Sequence, residues 1–111
     1  MLKTKFIKKG EDIIDRRLDD KEIHLLFKSK LMEGIIIELE PMSGFEKTYK
    51  HKGEEAHMVL EGEIEFTIGD ETFLCQEGDI LWHRSDIPHT IRNPGMAHAV
   101  YLTILSPPSI I

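Results

Sequence analysis

Period-two alternation runs through most of the chain. Ile35, Ile37 and Leu39 fall on one side of an extended segment, with Glu38 and Glu40 on the other. Ile64, Phe66 and Ile68 alternate with Glu63, Glu65 and Thr67. Successive side chains of a strand point to opposite faces, so each segment reads as a half-buried strand. Further strands are predicted at Ile23–Lys28, Ala56–Leu60, Glu71–Gln76, Ile80–His83, His89–Arg92 and Ala97–Leu105. Gly69-Asp70 joins two of them as a two-residue hairpin loop, where glycine tolerates the positive φ of a primed turn. Glu11–Leu18 carries the one weak helical pattern. Ser106-Pro107-Pro108 ends the last strand, because proline has no N–H to donate to a ladder. Short strands punctuated by turn residues predict an all-β sandwich or barrel.

Composition narrows this picture. A chain of 111 residues fits one domain, 1–111, and can bury roughly two-thirds of its unfolded surface without staples. The 41% hydrophobic content is too high for a disordered chain. A net charge of -6, from 14 basic and 20 acidic residues, argues against a nucleic-acid surface, which needs clustered basic groups. Cys75 is the single cysteine, so no intrachain disulfide is possible and a reducing compartment is the simple reading. The N-terminus lacks the apolar core of a secretory signal, and no apolar run approaches the ~18 residues of a membrane span. A cytoplasmic protein with no membrane partner is expected.

Candidate chemistry concentrates between Tyr49 and Asn93, which holds four of the six histidines. His51, Glu55 and His89 are three residues able to bind one divalent metal. Glu55, His57 and Val59 share one face of a strand, and Gly53 permits a turn before it. Two imidazoles and a carboxylate leave open positions on a metal and suit Fe(II), Zn, Mn or Ni.

These residues carry a family resemblance. The chain resembles the cupins, small barrels of the double-stranded β-helix, jelly-roll-like type. In the first cupin motif His51 takes the second His position, Glu55 the Glu and Gly62 the closing Gly. In the second, Gly78, His89 and Asn93 match with the right spacing. The core motifs span 44–93. The chain departs from the pattern at Tyr49, which stands at the first His position. Arg84 and Asp86 replace the Pro and inner Gly of the second motif, and Gly44 lies one residue too close. His57, two residues beyond Glu55 on the same face, is placed to supply the missing ligand. The expected metal set is therefore His51, Glu55, His57 and His89. The runs His51–Glu55 and Val59–Glu63, with the ending Leu105–Pro108, also resemble the C-terminal cupin half of bacterial regulators with an N-terminal helix-turn-helix domain. That resemblance implies an effector-binding barrel without the DNA-reading part.

Other residues have plainer readings. Tyr49, Trp82 and Phe66 are expected to line a ligand pocket, although Tyr49 is also open to roles as weak ligand or hydrogen-bond donor. Glu54 is expected to face solvent. His83 is expected to stay outside the ligand set, because it comes from a different strand end. His98 reads as a barrel-mouth polar group or a core histidine, His24 as structural or solvated, and Cys75 as a buried thiol. Leu2–Phe6 and Ile110–Ile111 offer apolar ends, from which a homodimer is expected.

Two metal-dependent functions remain open, beside a third reading as a metal-free scaffold or dimerisation domain. One is a metal-binding cupin holding a small metabolite, as a sensor or regulatory module. The other is a divalent-metal-dependent enzyme of dioxygenase, isomerase or lyase type using the same site, with no catalytic residue assigned.

Overall fold

The computed structural model describes residues 3–11, 14–18, 20–45 and 48–109. Among the described residues the chain forms nine strands and no helix. They are β1 Ile14–Leu18, β2 Lys21–Lys28, β3 Glu33–Leu39, β4 Glu54–Glu61, β5 Glu63–Ile68, β6 Glu71–Gln76, β7 Ile80–Arg84, β8 His89–Arg92 and β9 Ala99–Ser106. All the strands expected from alternation are present. β1 corrects the helix expected over Glu11–Leu18. It pairs antiparallel with β2, from Ile14 opposite Leu25 to Leu18 opposite Lys21. An available sheet edge outweighs a weak helical pattern. No helix long and apolar enough to cross a membrane occurs among the described residues.

Two antiparallel sheets form. One runs β1-β2-β3-β9-β4-β7 and the other β6-β5-β8. Gly44 and Tyr49 extend the smaller sheet beyond β8 through isolated bridges with Arg92 and His89. Ile35, Leu39, Val59 and Tyr101 of the large sheet meet Ile64, Phe66 and Ile91 of the small one in a single buried cluster. Each large aliphatic or aromatic side chain buried there contributes about 1.5–3 kcal/mol. The β5–β6 hairpin closes through Gly69-Asp70, with Gly69 at φ 60 and no positive φ at Asp70. That matches a type II′ turn, whose twist suits the flanking strands. The architecture is the jelly-roll-like barrel expected from the sequence.

The apolar ends behind the dimer expectation are only partly visible. Leu2, Ile110 and Ile111 lie outside the described residues, whereas Phe6 is exposed.

Candidate metal and ligand site

β4 delivers the centre of the site. Its inward face carries Glu55, His57 and Val59, and all three are buried. Glu55 lies opposite His83 of β7 and Leu105 of β9, and His57 lies opposite Thr103. The segment ahead of β4 is laced to the turn after β7. His51 N–H donates to the Ser85 carbonyl (2.9 Å), and Ser85 N–H donates to the Gly53 carbonyl (2.8 Å). Tyr49 and His89 exchange both backbone bonds, at 2.7 and 2.8 Å. Gly53 sits at φ 102, where an added Cβ would fall 1.9 Å from the Ser106 carbonyl oxygen. Only glycine fits that approach. Arg84 and Asp86, the departures from the second motif, form an ion pair at the same turn.

The histidines converge through Nε2. His51 Nε2 stands 2.8 Å and His89 Nε2 3.1 Å from Glu55 Oε2. His57 Nε2 lies 3.5 Å from Glu55 Oε1 and 3.0 Å from His83 Nε2. The far nitrogens of three rings face backbone carbonyls: His51 Nδ1 on Lys52 (3.3 Å), His83 Nδ1 on Arg84 (2.8 Å) and His89 Nδ1 on Ile87 (2.8 Å). Donation from Nδ1 to a carbonyl leaves the Nε2 lone pair free for a metal. His57 Nδ1 instead meets the Thr103 hydroxyl at 2.8 Å. With His83 Nε2 bare, His57 Nε2 carries the proton between the two rings and its Nδ1 accepts from Thr103.

The electrostatics keep Glu55 ionised and His57 and His83 neutral. Burial works to raise the Glu55 carboxyl, but the facing imidazoles of His89 and His57 more than offset it and hold it at about 2. Burial holds His57 down at about 3 and also lowers His83. For His89 burial acts downward, but Glu55 and the Ile87 carbonyl win and raise it. Glu55 Oε2 is buried between the imidazoles of His51 and His89, and the hydrogen bond from His89 helps to keep the carboxyl ionised. A buried carboxylate is costly unless such partners, or an ion, meet it. A metal with bonds of about 2.0–2.1 Å places neighbouring donors about 3 Å apart, close to the separations here. The donor set therefore fits a divalent ion, held by His51, Glu55 and His89, whose donor atoms lie within 4.8 Å of one another.

The sequence-expected residues are placed unequally. His51, Glu55 and His89 come together. His57 reaches the other oxygen of Glu55 and forms a second cluster with Glu55 and His83. His83 thus joins the site, against the expectation that its strand end would keep it away. Tyr49 is half exposed at the cavity wall, edge-on to Phe45 at 5.9 Å. Trp82 does not line the cavity. It is 57% exposed on the outer face, and its indole donates to Glu54 Oε1 at 3.1 Å. An even-numbered position on β7 points away from the face that carries Leu81 and His83. Phe66 is buried in the core and stacks on His57 at 4.8 Å, so it backs the site and does not line the cavity.

A cavity of about 250 Å³ opens beside His51 and His89, walled by Ile23, Ile37, Phe45 and Ile91. Tyr101 and Thr103 also line it, and neither was singled out from the sequence. The signal was there: Ala99, Tyr101, Thr103 and Leu105 share one face of β9, and all are buried. The histidine at 98 drew attention to the opposite face, which is the outer one. Burial, then Glu55, pushes the Tyr101 phenol well above its usual value, so it stays protonated.

Comparisons with known proteins agree with this geometry. An uncharacterised Archaeoglobus fulgidus protein is 36% identical over 62 residues, covering 56% of this chain and 58% of that one. The aligned region thus spans little more than half the length of that relative. The cupin domain of an XRE-family transcriptional regulator from Enterobacter cloacae superposes with TM-score 0.74 at 20% identity, covering 82% of this chain and 100% of that one. KdgF from Halomonas sp. superposes with TM-score 0.82 at 11% identity, covering 97% and 96%. The family model for the cupin domain matches residues 35–105, the stretch that contains both motifs and every residue of the Glu55 cluster. The chain belongs to the cupin family.

Proposed function

We propose that this chain is a divalent-metal-binding cupin that holds a small metabolite in its barrel, as a sensing or regulatory module. One observation carries the reading. The buried Glu55 Oε2 faces the Nε2 atoms of His51 and His89, whose Nδ1 atoms face backbone carbonyls. His51, Glu55 and His89 would hold the ion, with His83 and His57 behind Glu55. The ion would supply positive charge at the inner end of the cavity, where an oxygen of the metabolite can sit. The likeness to a regulator's cupin domain supports the sensing role.

The alternative is catalysis at the same site. It draws on His57, a buried neutral imidazole beside Glu55 whose tautomer Thr103 can accept in either form. Substrate turnover or O₂ uptake that vanishes in His51→Ala would favour the enzyme.

Plasma mass spectrometry of purified, metal-loaded protein tests the reading directly. About one equivalent of metal per chain is expected, and about none in Glu55→Gln or His89→Ala. Native protein that takes up no iron, nickel, manganese or zinc would sink the proposal.

A further inference from the structure

The outer face of the large sheet is apolar where a solvated face should be polar. We propose that this face is the contact surface for a second copy of the chain, which packs on it face to face as a two-fold dimer with Trp82 at the contact. The inference stands apart from the metal-centred reading. It moves the dimer expected from the sequence off the chain ends and onto this sheet.

Cross-strand register lays out the face. Ile36, Leu102, Met58 and Ile80 stand side by side across β3, β9, β4 and β7. The adjoining row runs from β2 to β7 through Phe27, Gly34, Ile104, Ala56 and Trp82. The Phe27 ring covers Gly34, where a Cβ would fall 2.2 Å from it, so an aromatic surface closes the row at its β2 end. No ionisable side chain stands within either run. β9 carries the same signal in its sequence. Its buried Ala99, Tyr101, Thr103 and Leu105 alternate with half-buried Val100, Leu102 and Ile104, so both faces are largely apolar. Such a run belongs to a strand covered on both sides, whereas a half-solvated strand alternates with polar residues. Yet Ile80 is 66% and Trp82 57% exposed at the β7 end of the two rows.

Size, shape and charge select a second copy. Strands about 4.8 Å apart that rise about 3.3 Å per residue give β2, β3, β9, β4 and β7 a face about 20 Å wide and 25 Å tall, some 500 Å² in projection. With the relief of its side chains, that approaches the roughly 800 Å² per partner of a standard interface. Glu22, Glu38 and Glu61 lie beyond one row, and Glu54 and Arg84 beyond the other. An uncharged middle within a charged border is the layout of an interface core and rim, and tryptophan is its commonest anchor. A second copy offers a face of equal width and the same hand of twist, and such sheets stack about 10 Å apart with strands about 30° from parallel. A two-fold axis along the strands would set the Glu22, Glu38 and Glu61 border of one copy on that of the other, and like charges oppose this. An axis across the strands, between the two rows, sets each row on the other row of the second copy and brings that acidic border to the side holding Arg84.

Trp82 is the chain's single tryptophan, so the native protein carries its own probe. Sedimentation equilibrium and acrylamide quenching are read on native and Ile80→Glu protein at about 50 µM chain, above the Kd of a micromolar dimer. The native protein is expected at twice the 12.8 kDa chain mass, with Trp82 shielded from the quencher. Ile80→Glu would bury an unpaired charge at the contact, so it is expected to raise the dimer Kd about a hundredfold or more and to open Trp82 to the quencher. Ile80 is exposed in the single chain, so the variant should keep its strand spectrum in circular dichroism. If it does not, native mass and quenching decide alone. Phe6→Asp, at the exposed N-terminal end, is expected to remain dimeric. Four results would overturn the proposal. They are a native protein of single-chain mass, which would leave the face to a different partner; a folded Ile80→Glu that dimerises as tightly as native; a native dimer with Trp82 open to the quencher; or a dimer lost in Phe6→Asp.

Discussion

Among the described residues, histidine and glutamate gather both inside the barrel and outside it. The outer cluster lies on the large sheet. His24 Nε2 is 2.7 Å from Glu38 Oε2 and 3.9 Å from Glu22, while His98 reaches Glu38 Oε1 at 3.2 Å and Glu61 at 3.3 Å. Like the inner cluster, it gathers donor atoms close enough to hold an ion. The difference is in how the donors are spent. His98 turns both ring nitrogens to carboxylates, and both oxygens of Glu38 are met by imidazoles. Inside, three rings turn Nδ1 to the main chain, with Nε2 of His51 and His89 on Glu55 and Nε2 of His83 on His57. Proximity is common to both clusters. Only the inner one has its ring nitrogens aimed by the backbone and a buried carboxylate shared among three imidazoles.

That contrast can be broken most forcefully with metal. Zinc at about 100 times its Kd should stabilise native protein by about 2.7 kcal/mol, or roughly 10–20 °C in Tm. His89→Ala should abolish the shift, whereas His24→Ala should keep it. A shift lost in His24→Ala and kept in His89→Ala would reverse the assignment of the two clusters. Next in size, Gly53→Ala should destabilise the fold by about 2–3 kcal/mol, because it sets a Cβ against the Ser106 carbonyl at a positive φ. Chemical denaturation reads this, and a change within 0.5 kcal/mol would show that the loop ahead of β4 yields freely.

A smaller effect comes from pH. His57 is buried with its folded value near 3, so below its unfolded value the unfolded chain takes up a proton that the native one does not. Native stability should therefore fall as pH drops from 7.5 to 5. His83 shifts the same way, and His89, which is raised, partly opposes both. The net loss for metal-free protein should be roughly 1–2 kcal/mol, seen as a lower Tm at pH 5. A Tm that rises on acidification would mean that His89 dominates the cluster. The smallest change belongs outside the barrel. His98→Ala should alter stability by under about 0.5 kcal/mol, since exposed ion pairs gain little in water. A larger loss at low salt would move the outer cluster closer to the inner one in kind.

The strands were legible because alternation is a local property, clearest in β5, where buried Ile64 and Phe66 alternate with Glu63, Glu65 and Thr67. The candidate triad was legible because the motif spacing fixes His51, Glu55 and His89 in sequence, and the structure brings them together. Register between β4 and β7 is not written locally, and it is register that sets His83 opposite Glu55. A shift of one residue would have faced Trp82 inward in its place. Tyr101 was missed for a related reason: alternation shows that one face of β9 is buried, and only pairing on both sides tells which. β1 escaped because its strand depends on the free edge of β2.

The lacing of His51 to Ser85 and of Tyr49 to His89 has a consequence for how the chain reaches its native state. The donors lie on segments more than thirty positions apart, so no short stretch of unfolded chain can present them together. Such long-range pairing is slow to nucleate. An ion recognising the finished arrangement would add nothing to the early steps of folding. It would act almost wholly on escape from the native state, slowing unfolding while leaving the folding rate nearly unchanged. The bound ion would thus serve as a latch on a completed barrel, and its exchange rate would report how often that barrel opens.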